Sequence, residues 1–148
     1  MQLKDYVKKG QIIFHDGEIS KSDSINILCK SLCDSYALDY EHVREMVWER
    51  EEKMTTGIGG NVAVPHARLD GIDNFYIAIM INKEGIDFDA LDGRPVNIIT
   101  LLLSPRDMVK EHIALLSKLS YFLTEEDSHR ILLEASTIAD VEALAKKF

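Results

Sequence analysis

The sequence is poor in residues that staple or break a chain, with two cysteines, three prolines and one tryptophan in 148 positions. Cys29 and Cys33 lie four apart, which is not the two-residue spacing of a redox or zinc pair. On a helix they share a side with Ile25 and Leu32, and they read as two small buried hydrophobes. Positive charge is also short: 17 Lys and Arg face 25 Asp and Glu, for a net charge of -8. That balance argues against binding nucleic acid or inserting at an anionic membrane, both of which need clustered cations. It suits a protein partner with a basic face. No run approaches the roughly 18 apolar residues of a membrane helix. Met1 to Gly10 has lysines but no apolar stretch after them, so no signal peptide is expected and the cytoplasm is the default compartment. Repeats and Pro/Gly/Ser-rich linkers are absent too. One domain over residues 1–148 is the expectation, long enough to bury roughly two-thirds of the surface of the unfolded chain.

What is present is a set of periodic segments. Gln11 to Phe14 suits a short strand. Ser22 or Asp23 can cap a helix carrying Ile25, Leu28, Cys29, Leu32 and Tyr36. A second helix is expected over Tyr40 to Lys53, with Val43, Met46, Val47 and Met54 as its stripe. Arg50 falls on that stripe, and an inward charge needs a partner or a purpose. Gly57-Ile58-Gly59-Gly60 reads as a loop, followed by a strand-like run from Asn61 to His66. Phe75 to Ile81 and Val96 to Leu103 read as buried strands. Between them, Glu84-Gly85 reads as a turn, Ile86 and Phe88 as a half-exposed strand, and Asp92-Gly93 as a tight turn. Ser104-Pro105-Arg106-Asp107 resembles a helix start. The helix it opens would place Val109, His112, Leu116, Leu119 and Leu123 on one face. Two shorter helices are expected near Glu125–Glu134 and Ile138–Lys147, the latter with Thr137 as cap and Asp140 three residues on. Together these predict an α/β domain: a single mixed sheet with helices on both sides.

Five histidines are candidates for chemistry. His15, His42 and His129 sit among polar residues and read as solvated. His66 follows Pro65, which fixes its own φ and pushes Val64 into an extended conformation. The chain is therefore stiff just ahead of that imidazole, at the expected end of a strand. Glycines upstream permit amides to turn toward an anion. His112 lies on the apolar face of its helix. On residues alone each of these has a structural reading beside the catalytic one: a satisfied core histidine, or, for Arg50, a stem lying on the core. A zinc site on His66 and His112 would need a third ligand, such as Asp70 or Asp107, at a spacing no known motif supports. Gly57 to Gly60 lacks the Gly-Lys-Ser/Thr ending of a nucleotide-binding loop.

The run Arg50-Glu51, Thr56-Gly57-Ile58-Gly59 and Val62-Ala63-Val64-Pro65-His66-Ala67 resembles the signature of enzyme IIA domains of the fructose–mannitol class, from the bacterial sugar phosphotransferase system. Gly85 to Val96 is similar to that family's central stretch, as is Glu111-His112-Ile113 with Leu115, Leu116 and Leu119. Asn61 stands where many members have glycine. The resemblance, over roughly residues 10–147, implies a mixed sheet with helices on both sides. It implies His66 as the phosphorylated nucleophile, His112 holding the phosphoryl group or the ring, and Arg50 supplying positive charge. Thr56, Gly57, Gly59 and Gly60 are candidates for a phosphate loop. A backbone carbonyl is expected to hold the proton of one ring nitrogen of His66. No cofactor or metal is implied. Phospho-HPr is the implied donor and an enzyme IIB domain, usually through a cysteine, the implied acceptor, with only indirect contact to the membrane through the sugar permease. A fructose-type role is expected. Some relatives are instead nitrogen-linked or transcriptional regulators.

Overall fold

The computed structural model describes residues 2–148. Two short 3-10 turns lead into strand β1 (Ile12–Phe14), helices α1 (Lys21–Tyr36) and α2 (Tyr40–Lys53), and strands β2 (Gly57–Gly59), β3 (Val62–Ala63) and β4 (His66–Leu69). The long strands β5 (Tyr76–Ile86) and β6 (Val96–Pro105) follow, then helices α3 (Val109–Thr124), α4 (Glu126–Glu134) and α5 (Ile138–Ala145).

Among the described residues the strands form one six-stranded mixed sheet in the order β1-β5-β6-β3-β2, with β4 also on β6. β5 and β6 are antiparallel, whereas β1 on β5 and both β3 and β4 on β6 are parallel. Both faces are covered, which is why β5 and β6 read as continuous apolar runs rather than alternating ones. Ile77, Ile79, Ile81, Ile98 and Leu102 belong to a core shared with Leu115, Leu119, Phe122, Leu132 and Val141 of the last three helices. Ala78, Met80, Ile99, Leu101 and Leu103 face Ile25, Leu28, Leu32, Val43 and Val47 of the first two. The predicted α/β architecture is therefore the observed one.

The differences from the sequence reading are local. α1 starts at Lys21, because Ser20 and not Ser22 or Asp23 caps it: the Asp23 amide donates to Ser20 Oγ at 3.0 Å. Glu84-Gly85 is no turn. The strand runs on to Ile86 with a register shift, and Asn82 Oδ1 accepts from the amides of Glu84 and Gly85 in place of the neighbouring strand. Phe88 lies beyond the strand and is fully buried. Ser104 and Pro105 end β6 instead of opening a helix, and α3 begins at Val109 without a side-chain cap. Its inner face is His112, Leu115, Leu119, Phe122 and Leu123; Val109 is exposed and Leu116 only half-buried. The capping box of Thr137 and Asp140 is present as expected. His15 and His129 are half-buried, bonded to Asn82 and to the Leu123 carbonyl, while His42 is exposed.

The segment from Asn61 to His66 also departs from a single strand. β3 ends at Ala63, Val64 and Pro65 bridge, and His66 opens β4. The register on β6 is nevertheless unbroken: Val62 pairs with Ile98 and His66 with Leu102. Pro65 has no amide to donate, but its carbonyl accepts from Leu102 N at 3.1 Å. Asn61 holds φ at +68°, the left-handed region that Asn tolerates better than most residues, so it can stand where relatives use glycine.

β2 is a short strand antiparallel to β3 rather than a free loop. A Cβ on Gly57 would stand 2.8 Å from Ala90 Cα and 2.9 Å from Ala90 Cβ. Backbone on both sides would have to move. Gly57→Ala is therefore expected to destabilise the fold by about 1–3 kcal/mol, the usual range for overpacking. Urea unfolding measures it, and a variant as stable as the parent would show that the Ala90 segment yields freely.

Candidate functional site

His66, the first residue of β4, is half-buried and bonds through Nδ1 to the Val64 carbonyl at 2.8 Å. A carbonyl only accepts, so Nδ1 carries the ring proton and Nε2 keeps its lone pair. The bond is local. Because Pro65 stiffens the bridge, the acceptor two residues back is held where the ring needs it. Alternation along β4 buries Ala67 and Leu69 and leaves His66 and Arg68 on the other face.

That face looks toward α3. His112, in its first turn, is 7% exposed and bonds through Nδ1 to Ser104 Oγ at 2.8 Å. This explains why Ser104 is not a helix cap: it faces inward at the end of β6 and anchors the imidazole. The two rings stand 5.4 Å apart, centroid to centroid, tilted by 50°. Burial is the main reason that the pKa of His66 lies below its ordinary value; the nearby Arg50 charge acts the same way, against the Val64 bond and Glu51. Burial, then the charges of His66 and Arg68, pushes His112 down to about 4. Both imidazoles are thus biased toward the neutral form.

Arg50 comes from the last turn of α2, where its Nη1 donates to the Met54 carbonyl at 2.8 Å. The following residue, Glu51, is buried and does different work. It accepts from Thr56 N (2.7 Å) and Thr56 Oγ1 (2.5 Å) and pairs with Lys21 Nζ at 3.1 Å. These contacts join the end of α2 to β2 and so aim Arg50. His66, His112 and Arg50 line one cavity of about 310 Å³, together with Met46, Glu49, Lys53, Ala67, Arg68 and Arg106. The three residues singled out in the sequence are therefore brought together.

Thr56, Gly57, Gly59 and Gly60 are not among the residues lining it. Thr56 is bound by Glu51, the Gly57 amide donates to Thr55 Oγ1 and the Gly60 amide to Asp92 Oδ2, while Gly59 packs beside Asp92. Pairing of β2 with β3 turns this segment toward the loop at residues 89–93. Sequence reasoning missed Arg68, Lys53 and Arg106. Arg68 stands two residues after His66 on β4 and shares its face, a relation visible only once His66 is known to open a strand rather than end one. Asp70 is paired with Arg106 at 3.0 Å, and no group of three or more His, Cys, Asp or Glu is placed to hold a metal among the described residues. No described helix is long and apolar enough to cross a membrane.

A mixed α/β sheet carrying two adjacent imidazoles in a cation-lined notch describes a phosphotransfer component. Residues 5–147 match the family "Phosphoenolpyruvate-dependent sugar phosphotransferase system, EIIA 2", and the chain belongs to it. It is 34% identical over 128 residues to the fructose-specific EIIA component of Haloferax volcanii, across 84% of this chain and 83% of that one. The crystal structure of the nitrogen regulatory protein IIA-Ntr from Neisseria meningitidis is similar with a TM-score of 0.89 at 30% identity, over 97% of this chain and 98% of that one. The IIA chain in the Escherichia coli complex of enzyme IIAMTL and phosphorylated enzyme IIBMTL shares the fold, with a TM-score of 0.77 at 16% identity, over 94% and 96% of the two chains.

The low pKa of His112 has a consequence for stability. Between its ordinary value of 6.5 and about 4, the unfolded chain binds a proton that folded His112 refuses. Folding stability falls as pH is lowered through this window, since the unfolded state holds more protons there. His112→Gln is expected to flatten that fall by up to one proton's worth of slope, as measured by urea unfolding at several pH values. Equal slopes in parent and variant would show that His112 titrates normally.

Proposed function

We propose that this chain is a phosphocarrier that accepts a phosphoryl group on His66 Nε2 from phospho-HPr and passes it to an enzyme IIB domain during sugar uptake. The observation that carries this reading is the bond from His66 Nδ1 to the Val64 carbonyl, which leaves Nε2 bare on a ring that lines the cavity. Burial lowers the pKa of the nucleophile and so biases it toward the neutral form.

In the forward step the Nε2 lone pair forms a bond to phosphorus, the donor's P–N bond breaks, and its electron pair returns to the donor imidazole. Transfer of this kind asks for alignment and for charge on the equatorial oxygens to be met. Arg50 supplies positive charge, and His112 lies beside the ring to hold it or the oxygens. With Nδ1 still protonated, the phosphorylated ring is cationic, so neutral imidazole is the leaving group in the next transfer. Two visiting proteins need an accessible rim, and exposed apolar side chains flank the site residues along the chain: Met54 (60% exposed) and Ile113 (60%). Donor, carrier and acceptor would meet in the cytoplasm, with the membrane reached only through the permease.

The likeness to IIA-Ntr favours a second reading, in which the phosphorylation state of His66 is a signal read through protein binding. The likeness to a fructose-specific component favours the transport role. Onward transfer separates them: a carrier for uptake passes its phosphate rapidly to a fructose-type IIB domain, and a regulator does not.

Intact-mass measurement after incubation with phospho-HPr is expected to show one added phosphoryl group, absent in His66→Ala with the fold retained. His112→Gln should slow transfer by about a hundredfold, the scale of losing one preorganised contact to developing charge, while His66 stays the labelled residue. Labelling that survives in His66→Ala would remove the central assignment.

A further inference from the structure

We propose that Arg68 is a second phosphoryl-oxygen ligand, gripping from the strand side the group that Arg50 meets from the α2 side. This rests on the phosphocarrier reading of His66 and adds a residue to it. Strand parity puts Arg68 on the face of His66, and both side chains line the same cavity. Its Nη1 donates to the Arg106 carbonyl at 3.2 Å, which steadies the head group. A guanidinium has five N–H donors, so others stay available for oxygen.

The other cations at the cavity are less suited. Arg106 is neutralised by Asp70 at 3.0 Å. Lys53 is a point charge on a flexible stem, without a planar fork to match two oxygens. No carboxylate partner within ion-pair distance is found for Arg68 or Arg50 among the described residues. The chain is acidic overall, yet at this notch two unneutralised guanidiniums approach from separate elements. The charge of Arg68 is also felt at His112, the imidazole that stands beside His66.

The arrangement fits the geometry of transfer. As the Nε2–P bond forms and the donor P–N bond breaks, three equatorial oxygens keep their charge. Arg50 and Arg68 can each take a different oxygen, and no proton has to move.

The test compares the parent with Arg68→Gln and Arg68→Lys. Each is equilibrated with HPr and phospho-HPr, and the phosphorylated fraction is read by intact mass. Phosphorus NMR then gives the shift of the phosphohistidine, with circular dichroism as a check on folding. Loss of one charge-assisted hydrogen bond should move the equilibrium toward phospho-HPr by roughly tenfold or more in Arg68→Gln. The phosphorus resonance should shift, and Arg68→Lys should recover part of both effects. A residue that only aids docking would change forward and reverse rates together and leave the equilibrium alone. A parent that is labelled on His66, with Arg68→Gln matching it in equilibrium and resonance, overturns the assignment of Arg68 alone. A parent that takes no label overturns the phosphocarrier reading and this one together.

Discussion

The bond between His66 Nδ1 and the Val64 carbonyl is the constraint on which the site depends. It selects one tautomer, orients the ring and decides which nitrogen stays bare. Two features of the chain make it possible. Pro65 fixes the backbone between donor and acceptor, and the register on β6 holds both flanks, with Val62 opposite Ile98 and His66 opposite Leu102. The acceptor is a main-chain atom of a bridge that the sheet holds at both ends, so it does not depend on a rotamer.

Around this point the sheet sorts charges by face and by end. The surface as a whole is acidic, with a net charge of -8. The notch at the end of β4 instead collects Arg50, Lys53, Arg68 and Arg106 against the one carboxylate of Glu49. Glu51 stands next to Arg50 in the chain, but it is buried and turned to Lys21 and Thr56. One residue of the Arg-Glu pair thus serves the cavity and the other the scaffold. A buried carboxylate that accepts two hydrogen bonds and an ion pair is costly to disturb, because removing any partner leaves the rest unsatisfied.

Much of this was legible from residues alone. The apolar runs of β5 and β6, the limits of α2 and the box at Thr137 follow from periodicity and capping. His66, His112 and Arg50 were joined by resemblance to a known signature, not by pattern, since each has an ordinary structural reading by itself. Three errors are of one kind: a local motif was satisfied by a partner outside the motif itself. Ser104 looked like a cap but bonds His112. Glu84-Gly85 looked like a turn but is a distortion within β5, stabilised by Asn82. The glycines looked like an anion cradle but make room for Ala90 and bond Asp92. Arg68 was missed for the opposite reason. Its significance comes only from knowing that His66 begins a strand rather than ending one.

The unbroken pairing of β3 and β4 along β6 sets what evolution can do with this segment. Side chains alternate between two helix layers, so one inserted residue between Val62 and His66 would exchange the imidazole with Ala67 and bury it beneath α2. Length can change without that exchange beyond Leu69, where Asp70, Gly71, Asp73 and Asn74 are exposed before Phe75 returns to the core. A longer connection there leaves the pairing that places His66 untouched.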